Sequence, residues 1–283
     1  MIQSMTGYGK SIVQLDTKKI SLEVKSLNSK NLDINTRFPG VYKEKEIEVR
    51  KLIASNLVRG KVDMSFYIES TGLETSAKIN KEVVSNYISQ LEQIHKEADI
   101  LSIAMRLPDV LKTEREELDP TEWTVIQEGI QEAIDHLKEY RLSEGQELEK
   151  DFKKRITILQ QKLEEVISLD TERLDQVRER LKKSINELEQ NIDENRFEQE
   201  LIYYLEKLDI TEEKVRLTNH LSYFIQELNG NISNGKKLGF ISQEIGREIN
   251  TIGSKANFAP MQKVVVEMKD ELEKIKEQLL NVL

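Results

Sequence analysis

The chain has 283 residues, 42 of them Lys or Arg and 51 Asp or Glu, for a formal net charge of −9. At 38% hydrophobic and 33% charged it has the balance of long helices that bury one narrow stripe, and four Pro and twelve Gly are too few for the repeated turns of an all-β sandwich or barrel. Zero Cys exclude disulfides, thiolate-ligated metals and cysteine nucleophiles, and the acidic balance excludes a generally basic surface, so nucleic acid would need a local positive patch.

In chain order, a first strand is expected around Met5 to Leu15. Ile20, Leu22 and Val24 then alternate with Ser21, Glu23 and Lys25, as do Leu32, Ile34 and Phe38 with Asp33, Asn35 and Arg37; a period of two marks half-buried strands. Val41 to Arg59 carries Ile47, Val49, Leu52, Ile53 and Leu57 at helical spacing and ends at Gly60, a C′ signal. Val62, Met64, Phe66 and Ile68 complete a last strand. The order predicts a small α+β domain over residues 1–75, its sheet covered on one face by a helix.

Thr71 to Ala77 reads as a hinge, and from about Asn80 every periodic segment is helical, with Pro108 to Pro120 a charged loop. Residues 76–195 are expected to form a helical region with a long antiparallel hairpin, turning at Ser168 to Asp170 between arms near Trp123–Ile167 and Thr171–Asn195. Leu174, Val177, Leu181, Ile185, Leu188 and Ile192 supply its second stripe. Residues 196–283 form a C-terminal helical domain, closing with Met261, Val264, Met268, Leu272, Ile275, Leu279 and Val282 at helical spacing. The fold class is therefore α+β with a predominantly helical second part. With no basic leader before an apolar run, and no stretch near the roughly 18 apolar residues of a membrane span, a cytoplasmic protein without membrane association is expected.

Gly7-Tyr8-Gly9 lacks the third Gly and following helix of a phosphate loop. Of three histidines, His95 and His136 lie among Glu and Lys and read as surface residues. His220 lies on a helix from about Thr211 to Leu228, seven residues after Glu213; at about 100° per residue the two are within roughly 20° of each other, with Arg216 between them. That row runs beside the stripe Leu217, Leu221, Phe224, Ile225 and Leu228. A second row, Glu244, Glu248, Thr251 and Lys255, flanks the stripe Leu238, Ile241, Ile245, Ile249 and Ile252, with Arg247 and Asn250 nearby. Two carboxylates one turn apart repel on an exposed helix, and hard oxygens in that spacing suit a divalent cation. If the helices pack flank to flank, Glu213, His220, Glu244 and Glu248 converge. The structural alternative is a set of surface ion pairs.

Ser4-Met5-Thr6-Gly7-Tyr8-Gly9, Glu23-Val24-Lys25-Ser26-Leu27-Asn28, Arg59-Gly60-Lys61-Val62, Arg141-Leu142-Ser143-Glu144-Gly145, Asp209 through His220, Gly235 through Phe240 and Gln243 through Lys255 together resemble the YicC/YloC family of bacterial proteins, in order over almost the full length. The resemblance implies a divalent-metal-dependent endoribonuclease, using Mn²⁺ or Mg²⁺ and assembled as a homohexameric ring. By the same resemblance Glu213, His220, Glu244 and Glu248 are the catalytic and metal-binding candidates. Arg216, Arg247, Asn250, Lys255 and Arg141 are RNA-binding candidates, with Asn28, and in a ring of acidic subunits Lys25, Lys30, Arg37, Arg59 and Lys61 would line a positive inner face for RNA. Gly239 stands where relatives usually have Asp and Gly246 where they usually have Asn; a mid-helix Gly costs about 1 kcal/mol against Ala and points to close packing or a bend. The competing class is a non-enzymatic, oligomeric RNA-binding adaptor or scaffold, whose polar rows are salt-bridge networks.

Overall fold

A computed structural model describes residues 2–70, 78–94, 99–112, 119–186, 199, 202–203 and 206–283. It separates into two compact units, one of Tyr8–Lys25 and Leu32–Leu137, the other of Met1–Gly7, Ser26–Asn31 and Lys138–Leu283.

The first unit contains β1 (Gly7–Gln14), β2 (Lys18–Leu27), β3 (Leu32–Arg37), α1 (Glu46–Asn56) and β4 (Gly60–Ser70), in a four-stranded sheet of order β1-β2-β4-β3. β3 and β4 run parallel, Leu32 opposite Gly60 and Arg37 opposite Ser65. A parallel pair needs a crossover, supplied by the 3₁₀ turn Gly40–Lys45 and α1. Alternation puts Val13, Ile20, Leu22, Val24, Val62, Met64 and Phe66 on one face, against Val49 and Ile53 of α1 and Trp123, Ile126, Ile130 and Ile134 of a later helix. Gly60 does not cap α1; it opens β4 at φ 128°, a conformation glycine adopts without a Cβ penalty. Gly9 is a strand glycine rather than part of a phosphate loop: a Cβ there would lie 1.9 Å from the carbonyl oxygen of Ala133.

Two features past the sheet differ from the sequence expectation. A second, two-stranded sheet pairs β5 (Lys78–Ile79) with β6 (Leu111–Lys112), flanking α2 (Lys81–Ile94) and α3 (Ile100–Ala104) around Val84, Ala104 and Val110; strands of two residues carry no readable period. And no turn occurs at Ser168–Asp170. One helix, α4 (Pro120–Asn186), runs straight through. Ser168 hydrogen-bonds back to the Glu165 carbonyl at 2.8 Å, and Asp170 pairs with Arg173 and with Lys214, so both turn-forming residues are satisfied within a helix. The expected hinge at 71–77, His95 and the outer part of the second hairpin arm lie outside the described residues.

In the second unit α4 packs with α5 (Thr211–Leu228), α6 (Gly235–Lys255) and α7 (Ala259–Leu279). The expected stripes form this core, among them Leu217, Leu221 and Phe224 of α5, Ile245, Ile249 and Ile252 of α6, and Met268, Leu272 and Ile275 of α7. The end segments are hydrogen-bonded to one another: Ser4 bridges Val282, the Met5 amide donates to Asn281 at 2.7 Å and Leu283 to Gln3 at 3.0 Å. Among the described residues no helix is long and apolar enough to cross a membrane.

Candidate active site

Two cross-helix ion pairs fix how α5 and α6 face each other. Lys255 Nζ lies 2.7 Å from Glu213 Oε1 and Lys237 Nζ 2.6 Å from Glu227 Oε2. An early residue of α5 meets a late one of α6 and the reverse, so the helices are antiparallel. Glu213, His220 and Glu227 are spaced by seven, which keeps them on one line within roughly 20° per step. The matching line on α6 runs from Lys237 to Lys255 through Glu244 and Glu248. The register therefore places His220, midway between Glu213 and Glu227, level with the stretch Glu244–Glu248. The two lines meet in a seam along the edge of the apolar core, the α5/α6 groove.

The two ion pairs bracket the groove, and His220, Glu244 and Glu248 lie between them. Glu248 is 8% exposed and, among the described residues, has no hydrogen bond or ion pair. Its carboxylate oxygens are not among the buried unpartnered atoms, so they reach solvent at the edge of the core as free acceptors. Glu244 pairs at 2.8 Å with Arg247 on the exposed flank. His220 is half-buried. Arg216 pairs with Glu212, and Asn250 is exposed.

The expected convergence of four groups is not formed. Glu213 is buried and its Oε1 is held by Lys255, which also donates to the Asp209 carbonyl at 2.9 Å; its Oε2 has no hydrogen-bond partner. Among the described residues no three His, Asp or Glu side chains are grouped to hold a metal ion. Glu213 and Lys255 thus act on each other, at the groove's end. What remains, two carboxylates one turn apart, matches the donor set of Mg²⁺-like ions, which take one or two carboxylates and complete their shell with water and substrate phosphate.

The N-terminal candidates separate by exposure. Lys25 and Lys61 are exposed on the side of the sheet away from its core. Lys25 Nζ sits 3.5 Å from Glu23 and 5.5 Å from the centre of the Tyr8 ring. Burial raises the Glu23 carboxyl, but Lys10 and Lys25 outweigh it and leave the group below its ordinary value. Lys30 is exposed, while Asn28 donates to the Leu280 carbonyl at 2.7 Å. Arg141 corrects the sequence expectation: it is 3% exposed, its guanidinium bonded to Ser26 and, at 3.2 Å, to the Met5 carbonyl, so it fastens the fold and offers RNA nothing.

Position 239 has open space around it, so the family's Asp would fit there. A Cβ at Gly246 would meet Leu272 of α7 at 3.2 Å, the close packing its mid-helix glycine suggested. Periodicity passed over Tyr223 and Phe240, exposed aromatics on the outer side of the same groove; the readable signal was an aromatic side chain off the apolar stripe.

The family described as endoribonuclease YicC-like, N-terminal region, matches residues 2–150, and that described as endoribonuclease YicC-like, C-terminal, matches residues 166–283. This chain belongs to the YicC-like family. The probable endoribonuclease YicC of Clostridioides difficile (strain 630) is 34% identical over 292 residues, and that of Haemophilus influenzae (strain ATCC 51907 / DSM 11121 / KW20 / Rd) is 30% identical over 296, each covering 100% of both chains. The C-terminal YicC-like match contains the whole of α5 and α6, and with them the groove.

Proposed function

We propose that this chain is an endoribonuclease that cleaves RNA in the α5/α6 groove with the help of Mn²⁺ or Mg²⁺. The observation that carries the reading is Glu248, whose side chain packs at the edge of the core while its carboxylate has no partner among the described residues, one turn from Glu244 and level with His220. Full-length similarity to probable endoribonucleases supports the reaction class.

Glu244 and Glu248 are the residues that would hold the cation. When bound, such an ion polarises a phosphodiester oxygen and makes water or a ribose hydroxyl a better nucleophile. The chain's own groups do the rest. Arg247 is held to Glu244 only by an exposed ion pair, which is worth little; turning to an RNA phosphate, it leaves Glu244 free and brings a charge-assisted contact to the substrate. Arg216 can leave Glu212 in the same way. Both then neutralise charge that develops on the phosphorus oxygens. His220, whose imidazole can either donate or accept a proton, moves one to or from the reacting oxygen.

Glu244→Ala, Glu248→Ala and His220→Gln variants test this with an internally labelled RNA. The double carboxylate variant is expected to reduce cleavage to background and His220→Gln to slow it by about 10²–10⁴-fold, with unfolding midpoints near the parent's. Cleavage at the parental rate in Mn²⁺ or Mg²⁺ by the double variant contradicts the assignment. An RNA-binding adaptor, in contrast, retains RNA in the presence of a chelator and yields no cut product.

A further inference from the structure

The groove has a second chemical character near the Asn229–Asn234 connection. Tyr223 is 40% exposed and Phe240 57% exposed, Phe240 being the one exposed phenylalanine among the described residues. Tyr223 is rotated about 60° from the centre of the Glu213–His220–Glu227 line of α5, and Phe240 about 50° from that of the Lys237–Glu244 line of α6, each away from its helix's apolar stripe. Because the helices are antiparallel, these rotations bring both rings to the same outer side of the groove, one on each wall. The register set by the two ion pairs places them within about one turn of each other, and Tyr223 within about one turn of His220.

Each ring carries a cation. Lys237 Nζ is 5.2 Å from the centre of the Tyr223 ring and Lys236 Nζ 6.0 Å from that of Phe240. The residues around the rings, Asn219, Gln226 and Gln243, are polar and exposed, whereas the middle of a protein–protein interface is apolar. Aromatic faces beside ammonium groups fit a nucleobase together with its phosphate, and the positive charge is local in a chain of net charge −9.

We propose that Tyr223 and Phe240 form a stacking subsite for one unpaired nucleobase, beside the phosphodiester cut at His220, Glu244 and Glu248, with Lys236 holding the adjacent phosphate while Lys237 stays paired with Glu227. The subsite rests on the ribonuclease reading and deepens it: it selects single-stranded RNA, because a paired base does not present its face, and it tolerates any base, because every base has one.

Short single-stranded RNAs with 2-aminopurine at successive positions, followed over the first turnover with the full chain, report stacking as fluorescence quenching. Quenching is expected at one position beside the cut. Tyr223→Ala and Phe240→Leu each remove most of it and weaken binding by about ten-fold or more, Tyr223→Phe keeps both, and duplex RNA shows none. Unchanged quenching and affinity in the first two variants, with the parent still cutting RNA, overturns the subsite alone. A lower sedimentation coefficient in those variants at unchanged quenching assigns the rings to contact with a second copy of the chain and also overturns it. A parent chain that neither binds nor cuts RNA overturns the ribonuclease reading and the subsite with it.

Discussion

Asp209 closes the start of α5. Its Oδ1 accepts from the Thr211 hydroxyl at 2.7 Å and from the Thr211 amide at 3.2 Å. The hydroxyl bond is the largest cause holding the carboxyl below its ordinary value; the amide and the charges of Lys214 and Lys255 add to it against partial burial. A carboxyl depressed in the folded state stabilises the fold above the ordinary Asp value of about 3.9, and that stabilisation is lost as pH falls through the lower folded value. The gap in unfolding midpoint between the parent and Asp209→Asn should stay constant from about pH 7 to about pH 5 and shrink below about pH 4. Urea titrations across that range check it; a gap independent of pH contradicts it. Arg141 shows what a residue-scale reading of sequence misses. Burial lowers its guanidinium to about 10, so it stays charged at neutral pH, yet its partners Ser26 and Met5 lie 115 and 136 positions away. Nothing local distinguishes it from an exposed helix arginine.

At the scale of elements, period explains what was legible. Strands β1 to β4 and the stripes of α5, α6 and α7 were readable because each buries one face against a single core. The turn assigned to Ser168–Asp170 was not there because Asp170 finds Arg173 one turn on and Lys214 on another helix, and only the first of these is visible along the chain. Close approach of elements was equally hidden. At Gly9 a Cβ would lie 1.9 Å from the Ala133 carbonyl oxygen and 2.7 Å from the Leu137 amide nitrogen, both backbone atoms of α4, whereas at Gly40 it would meet nothing within 4 Å. Gly9→Ala should therefore lower stability by about 1–3 kcal/mol and Gly40→Ala should leave it nearly unchanged. Denaturant midpoints of the two variants decide the matter, and equal midpoints contradict the packing.

For the whole molecule, the charge of −9 describes most of the surface and little of the groove. The rows on α5 and α6 were readable from their seven-residue spacing. Which carboxylate is free was not, because Lys255 holds Glu213 across two helices and Arg247 holds Glu244 along one, leaving Glu248 unpaired among the described residues. Cation-dependent internal cleavage of RNA, with the cation held by Glu244 and Glu248, is the central claim. It is tested most directly by incubating the purified chain with RNA labelled at one end, with Mn²⁺ or Mg²⁺ and with a chelator, and mapping the products. Internal cuts that vanish with chelator and return when the cation is restored are the predicted result. Cuts insensitive to chelator, trimming only from an end, or intact RNA in the presence of either cation would contradict it.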